Sequence, residues 1–338
     1  MFWIAIAVVV MLICIGPLFL PRTTAGSLPE GREFADELSH FVGIHGLAIH
    51  YKDFPASGTG SDADVTSFLL LHGFGSSIAT FRHIVPALRS FGRVIMFDRP
   101  GFGLSSRPTG WTLTSFNPYR REAQRQMTIE IMDLLGVQKA VIVGHSSGCQ
   151  LAVEIAHQNP SRIVGLALVS PSLYRSPSIP MPLRLLLRFP PLSRIGTAIT
   201  RSAFTKWTTA TDETADTPLL KNSWYDPTRA DVVTRDEISR LVSIRNWDRS
   251  LWAMALSDTR TEAARHLREL SMPVLVIAGD SDRVAPMKDH ERLVEELPGS
   301  RLVVVAHAGH SPHEEQPEET SRTLKAFLRE KLDEHFPT

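Results

Sequence analysis

The 338-residue chain is expected to form an α/β fold, with a mostly parallel central sheet flanked by helices. Three observations predict this. Short β-branched runs recur along the chain, and they alternate with segments of helical periodicity. The runs are also nearly continuous in apolar residues, as strands buried on both faces are.

In order, GLAIHY (46–51) and SFLLL (67–71) read as strands. Residues 78–90 have helical spacing through Ile78, Phe81, Ile84, Val85 and Leu88, and RVIMF (93–97) is a strand. Residues 119–135 form an amphipathic helix stopped by Gly136. AVIVG (140–144) is a strand followed by a helix through Leu151, Ala152, Ile155 and Ala156, and IVGLALVS (163–170) is the next strand. The alternation resumes with PVLVIAG (273–279), a helix around 286–297, RLVVVA (301–306) and a closing helix at 317–332.

The interruption at 172–258 is too long for an ordinary connection. It is punctuated by Pro177, Pro180, Pro182, Pro190 and Pro191 and is rich in Leu, Phe and Trp. Between Pro171 and Ala210 stand Arg175, Arg184, Arg188, Arg194, Arg201 and Lys206, with no acidic residue. Two readings follow: an irregular helical insertion with a solvated basic face, or a cap whose basic, amphipathic surface rests on a membrane.

The N-terminus raises the membrane separately. MFWIAIAVVVMLICIGPLFL carries no charge over twenty positions, and as a helix it would span about 30 Å, the thickness of the hydrocarbon layer. It reads as a single-pass anchor, because no Lys or Arg precedes it and it is longer than a usual signal core. A cleaved signal is the alternative, with Thr23-Thr24-Ala25 as a small-residue site and a secreted or periplasmic body as the result. For an anchor, Arg22 and Arg32 follow the run, and the positive-inside tendency then places the body on the cytoplasmic side. The expected organisation is an anchor or uncleaved signal at 1–21, a linker at 22–45, a core at 46–171 and 259–338, and a helical cap at 172–258.

Charge narrows the partners. Lys plus Arg and Asp plus Glu each total 36, so no basic excess marks nucleic acid as a partner. Of two cysteines, Cys14 lies in the apolar run and Cys149 in mid-chain, which leaves the body without an internal disulfide and rules out a four-cysteine zinc site.

The chemistry gathers at strand ends. AVIV runs into Gly144-His145-Ser146-Ser147-Gly148 and then a helix. A sharp strand-to-helix turn needs small neighbours, lifts the central Ser146 hydroxyl above the sheet edge, and aims helix N–H groups at a developing oxyanion. The hydroxyl needs a base, and an imidazole needs a carboxylate to fix its tautomer. His310 follows a strand in AHAGHSPH, and VIAGDSD ends another strand with Asp280 and Asp282 as candidate acids. His307, His310 and His313 recur every third residue, but they lack the i, i+4 spacing of helical zinc ligands. His313 is expected at the surface, and Cys149 is expected as a buried helix residue.

These motifs in this order resemble the α/β-hydrolase fold superfamily over nearly all of residues 46–334, with the cap where family caps sit. The resemblance is to serine esterases and lipases, in particular the membrane-anchored monoacylglycerol lipase-like hydrolases. It implies Asp282 as the acid, from Gly279-Asp280-Ser281-Asp282, and His310 as the base, from Gly309-His310. His72-Gly73-Phe74-Gly75 resembles the oxyanion loop, which implies backbone N–H donors from Phe74 and Ser147. Asp98-Arg99-Pro100-Gly101-Phe102-Gly103 matches a further structural signature. Dehalogenases and epoxide hydrolases of this layout carry aspartate where Ser146 stands, so the resemblance implies acyl transfer.

The expected activity is hydrolysis of a carboxylic ester, with a hydrophobic or lipid-derived acyl group, through Ser146, His310 and Asp282 and an acyl-enzyme, with no metal or organic cofactor implied. The partners are the ester substrate and the membrane, reached through the N-terminal helix and the basic cap. Three alternatives stand beside it: a carbon–carbon hydrolase of the meta-cleavage type, a cofactor-free perhydrolase, and a non-catalytic ligand-binding relative.

Overall fold

The computed structural model describes residues 28–57, 66–109, 116–174, 179–210, 216–257, 260–297 and 299–335. The apolar run, with its expected anchor or signal at 1–21, lies outside them. Among the described residues no helix is long and apolar enough to cross a membrane.

Eight strands form one sheet: β1 (His40–Ile44), β2 (Leu47–Phe54), β3 (Thr66–Leu71), β4 (Gly92–Phe97), β5 (Ala140–His145), β6 (Ile163–Val169), β7 (Val274–Gly279) and β8 (Arg301–Val305). Their order is β1-β2-β4-β3-β5-β6-β7-β8. β1 and β2 pair antiparallel, as do β2 and β4, and every other pair is parallel. The parallel register explains the apolar runs. Leu69 and Leu71 of β3 and Ile142 of β5 face one core, while Phe68, Leu70, Val141 and Val143 face the other. Both sides of these strands are buried, so strict polar alternation never develops.

The first core lies under α2 (Arg121–Leu134) and α3 (Ser147–Gln158), and the second under α1 (Val85–Arg89) and the closing helix. α2 stops where expected, with Gly136 at φ 71°. Two elements differ from the expectation. β1 falls in the segment read as linker; it is short, contains Gly43 and is half-exposed at the sheet edge, so it carries no burial pattern. The helix expected over 78–90 divides into a 3-10 turn (Ile78–Phe81) and α1, because Pro86 at the first turn of α1 cannot donate to a continuous helix.

Between β6 and β7 the chain makes α4 (Met181–Leu187), α5 (Pro190–Thr208), α6 (Pro218–Ser223), α7 (Val232–Arg240) and α8 (Trp247–Ala255). The continuous solvated basic face does not form. Arg184 is buried, Arg201 Nε bonds Asp248 Oδ2 at 2.9 Å, and Arg188 reaches the Leu256 carbonyl at 3.4 Å. Large apolar side chains take the surface instead: Met181, Leu183, Leu185, Leu186, Phe189 and Ile199 are exposed. After β7 come α9 (Met287–Glu296), then β8, a single turn α10 (Pro312–Glu315), and α11 (Pro317–His335).

Candidate active site

Ser146, Asp282 and His310 follow the C-terminal ends of β5, β7 and β8, the edge at which open parallel sheets carry their sites. The chain turns from β5 into α3 within one residue, and Ser146 adopts φ 52° and ψ −117°. Close packing makes the flanking glycines necessary. A Cβ on Gly148 would sit 2.0 Å from the Leu71 carbonyl oxygen, and one on Gly144 would sit 2.9 Å from Cys149 Cα.

The structure brings the three residues together. Ser146 Oγ lies 2.9 Å from His310 Nε2, and His310 Nδ1 lies 2.8 Å from Asp282 Oδ2. A carboxylate only accepts, so Nδ1 carries the ring proton and Nε2 offers its lone pair to the serine hydroxyl. Asp282 Oδ1 accepts the N–H groups of Val284 and Ala285, each at 2.8 Å. Burial opposes its charge, yet the His290 and His310 imidazoles and the Ala285 N–H hold its carboxyl far below the usual carboxylate range. Asp280, the other candidate, is exposed and turned away from His310, and its carboxylate accepts the His307 N–H at 3.0 Å and the Ala308 N–H at 3.4 Å. It ties down the loop that leads to His310.

The loop at 72–75 packs directly on Ser146, since a Cβ on Gly73 would meet Ser146 Cβ at 3.1 Å. Buried His72 fixes this loop. Its Nε2 accepts the Arg99 N–H at 3.0 Å, so Nδ1–H donates to the Gly73 carbonyl at 2.7 Å. Burial drives the His72 pKa down to about 3 and keeps the ring neutral. Asp98 holds the loops from below, accepting the N–H groups of Ile78 and Leu104 and the His50 ring. The Ser147 N–H opens α3 and has no acceptor within the helix. The Phe74 N–H donates to no backbone carbonyl among the described residues.

Three more residues surround the site: Glu315 and His145 support the histidine loop, and His290 stands beside Asp282; no local pattern in the sequence marks Glu315 or His290. Glu315 accepts the N–H groups of Gly309 (2.8 Å) and Ser311 (3.3 Å) on either side of His310, and that of Tyr225 (2.7 Å) in the insertion. Burial raises its pKa to about 7. His145 donates from Nε2 to the His310 carbonyl at 2.9 Å, and burial keeps it neutral with a pKa of about 3. Fully buried His290 on α9 places Nε2 3.9 Å from Asp282 Oδ2.

His307, His310 and His313 do not converge on one point. His313 is buried rather than exposed, because the α10 turn carries it inward to Thr80 Oγ1 at 2.8 Å. Burial also pushes its pKa well down. Cys149 is a buried free thiol whose pKa burial pushes up.

A pocket of about 100 Å³ opens beside His310, with Leu220 of α6, Trp224 just after it and Ile238 of α7 as its apolar roof. Its far side is charged. Arg82 donates to both oxygens of Asp231 at 2.7 Å and to Glu314 at 2.9 Å, and Glu237 accepts from Ser77 and Arg240. These contacts tie α7 to the core. Gly309 leaves room for the insertion, since a Cβ there would meet the Ser223 carbonyl oxygen at 2.3 Å.

Known proteins share this fold. A family model described as the alpha/beta hydrolase fold matches residues 66–317. A 2-hydroxy-6-oxononadienedioate/2-hydroxy-6-oxononatrienedioate hydrolase of Burkholderia vietnamiensis is 30% identical over 84% of this chain and 91% of its own. Lipase 3 of a Moraxella species is 27% identical over 77% of this chain and 76% of its own. The crystal structure of a hydrolase from Pseudomonas aeruginosa superposes with a TM-score of 0.64 at 24% identity, covering 87% of this chain and 99% of that one.

Proposed function

This chain belongs to the alpha/beta hydrolase fold family, and on that premise we propose that it is a serine hydrolase cleaving carboxylic esters with hydrophobic or lipid-derived acyl groups. The observation that carries the reading is the unbroken relay from Ser146 Oγ through His310 to Asp282, at 2.9 and 2.8 Å, beside a pocket. His310 Nε2 takes the hydroxyl proton as Ser146 Oγ attacks the carbonyl carbon, and Asp282 stabilises the imidazolium. The Phe74 and Ser147 N–H groups receive the oxyanion, each worth about 10²–10³ in rate. His310 then protonates the departing alkoxide. In the second half it deprotonates water, which attacks the acyl-enzyme and releases the acid, returning the proton to Ser146.

The pocket beside His310, at about 100 Å³, is below the about 300–1,000 Å³ of sites that enclose drug-sized ligands, and in this reading α6 and α7 lift to admit a long acyl chain. In this reading residues 172–258 act as the cap. The charge-free run at 1–20 and the exposed apolar side chains of α4 and α5 support work at a bilayer surface.

The test is fluorophosphonate labelling of wild type and Ser146→Ala, followed by a p-nitrophenyl ester chain-length series. Labelling and turnover are expected in wild type, with a loss of at least about 10³-fold in the variant. A folded wild type that does not label overturns the reading. Carbon–carbon hydrolysis is the second reading, favoured by the charged pocket wall of Arg82, Glu237 and Glu314 and by the name of the Burkholderia relative. Labelling without ester turnover selects it.

A further inference from the structure

Away from the catalytic edge, three side chains converge where the C-terminus of α3 meets the segment leading to β7. His157 lies in the last turn of α3, and His266 precedes a 3-10 turn at Leu267–Glu269 that ends on Glu269. Residues three apart eclipse on a 3-10 helix, which places His266 and Glu269 on one side. The two imidazoles stack with centroids 3.9 Å apart and planes 13° from parallel. Each turns Nδ1 toward a different oxygen of one carboxylate: His157 to Oε2 at 3.5 Å and His266 to Oε1 at 3.2 Å.

We propose that His157, His266 and Glu269 form a binding site for a divalent transition-metal ion of the zinc type. The donor set is two imidazole nitrogens and a carboxylate, and one ligand atom from each lies within 4.8 Å of the others. Each Nδ1 stands beside its own oxygen of Glu269, at 3.2 and 3.5 Å, near the about 3.3–3.4 Å edge of a zinc tetrahedron, and the stacked rings turn apart so that both lone pairs reach one ion. Water completes the fourth position. Each ring binds through Nδ1, with its proton on Nε2. The C-terminal end of a helix also favours a cation, and His157 lies in the last turn of α3. The competing cation nearby is engaged elsewhere: Arg265 bonds Glu262 at 2.9 Å. The nitrogen-rich set selects zinc-type ions over Mg²⁺ and Ca²⁺, which prefer all-oxygen shells.

His157 follows Ser146 by eleven residues, about 16 Å along α3, so the ion acts on the fold and not on the reaction. It staples the nucleophile helix to the segment that enters β7, and its effect should appear in stability.

The experiment uses full-length protein without a polyhistidine tag, stripped with chelator and titrated with Zn²⁺ by calorimetry and thermal unfolding. The expected result is a single high-affinity equivalent with a raised melting temperature, and no response to Mg²⁺. His157→Gln and His266→Gln should each weaken binding by at least about 10-fold, and the double variant should abolish it. Co²⁺ should give a tetrahedral visible spectrum in wild type only. Circular dichroism of the metal-free variants checks the fold, and the Co²⁺ spectrum of Glu269→Gln gives a second readout if a histidine variant misfolds. Equal Zn²⁺ binding by wild type and the double variant, or no binding by wild type, overturns the proposal.

Discussion

At the residue scale, Ser146 holds a positive φ that L-residues seldom adopt, and the glycines at 144 and 148 exist because carbonyl and Cα atoms approach them too closely for a Cβ. Their requirement is local, which is why Gly-x-Ser-x-Gly is legible from sequence. His310 and Asp282 are legible for a related reason, since each follows an apolar strand that delivers it to the same edge. The choice between Asp280 and Asp282 is not local: it depends on which carboxylate the 306–308 loop occupies. His290 is less visible still, because only the packing of α9 brings it to Asp282. Replacing it with leucine removes one electrostatic partner of the acid at roughly constant volume. The expected loss in kcat/KM is about five-fold, about 1 kcal/mol, with the melting temperature nearly unchanged. Steady-state kinetics beside thermal unfolding check it.

At the element scale, α10 is a single turn with no periodicity to read, yet through Glu315 it braces both sides of His310 and one residue of the insertion. The protonation of Glu315 links to stability with a definite sign. Its pKa rises from the ordinary 4.5 to about 7 in the folded chain, so the folded state holds the proton through a range where the unfolded chain has released it. That contribution is fully present below pH 4.5 and is lost as pH rises through about 7. Asp282 has the opposite sign: its lowered pKa contributes stability above its ordinary 3.8 that disappears as pH falls into the acid range. Glu315→Gln is expected to flatten the decline in urea midpoint between about pH 5 and about pH 7, and to lower stability overall by about 1–3 kcal/mol because its amide cannot accept all three N–H groups. Urea titrations of both proteins across that range check both effects.

At the scale of the molecule, the sheet was legible because both of its faces are buried, so continuous apolar runs mark its inner strands. The edge strand β1 and the breakdown of the basic face were not. Both depend on tertiary partners, such as Asp248 for Arg201, that sequence spacing does not show. Around α4 the insertion presents apolar side chains outward, Met181, Leu183, Leu185, Leu186 and Phe189. If this surface meets a bilayer, then Leu186→Glu with Phe189→Glu should lower the vesicle partition coefficient by at least about 30-fold, at about 1–2 kcal/mol per buried apolar side chain, in protein lacking residues 1–21. Turnover of a water-soluble short ester should be unchanged.

Cys149 sits in α3 three residues beyond Ser146, fully enclosed, with its sulfur 3.5 Å from the Val169 carbonyl oxygen. An alkylating reagent therefore meets it only when the helix leaves the sheet. With Cys14 replaced by serine, the rate of thiol modification in native buffer becomes a clock for opening of the central layers. Its dependence on denaturant separates local fraying from global exposure. Substrate analogues or Zn²⁺ that slow the clock would be holding α3 in place, and the chain would report this without an introduced probe.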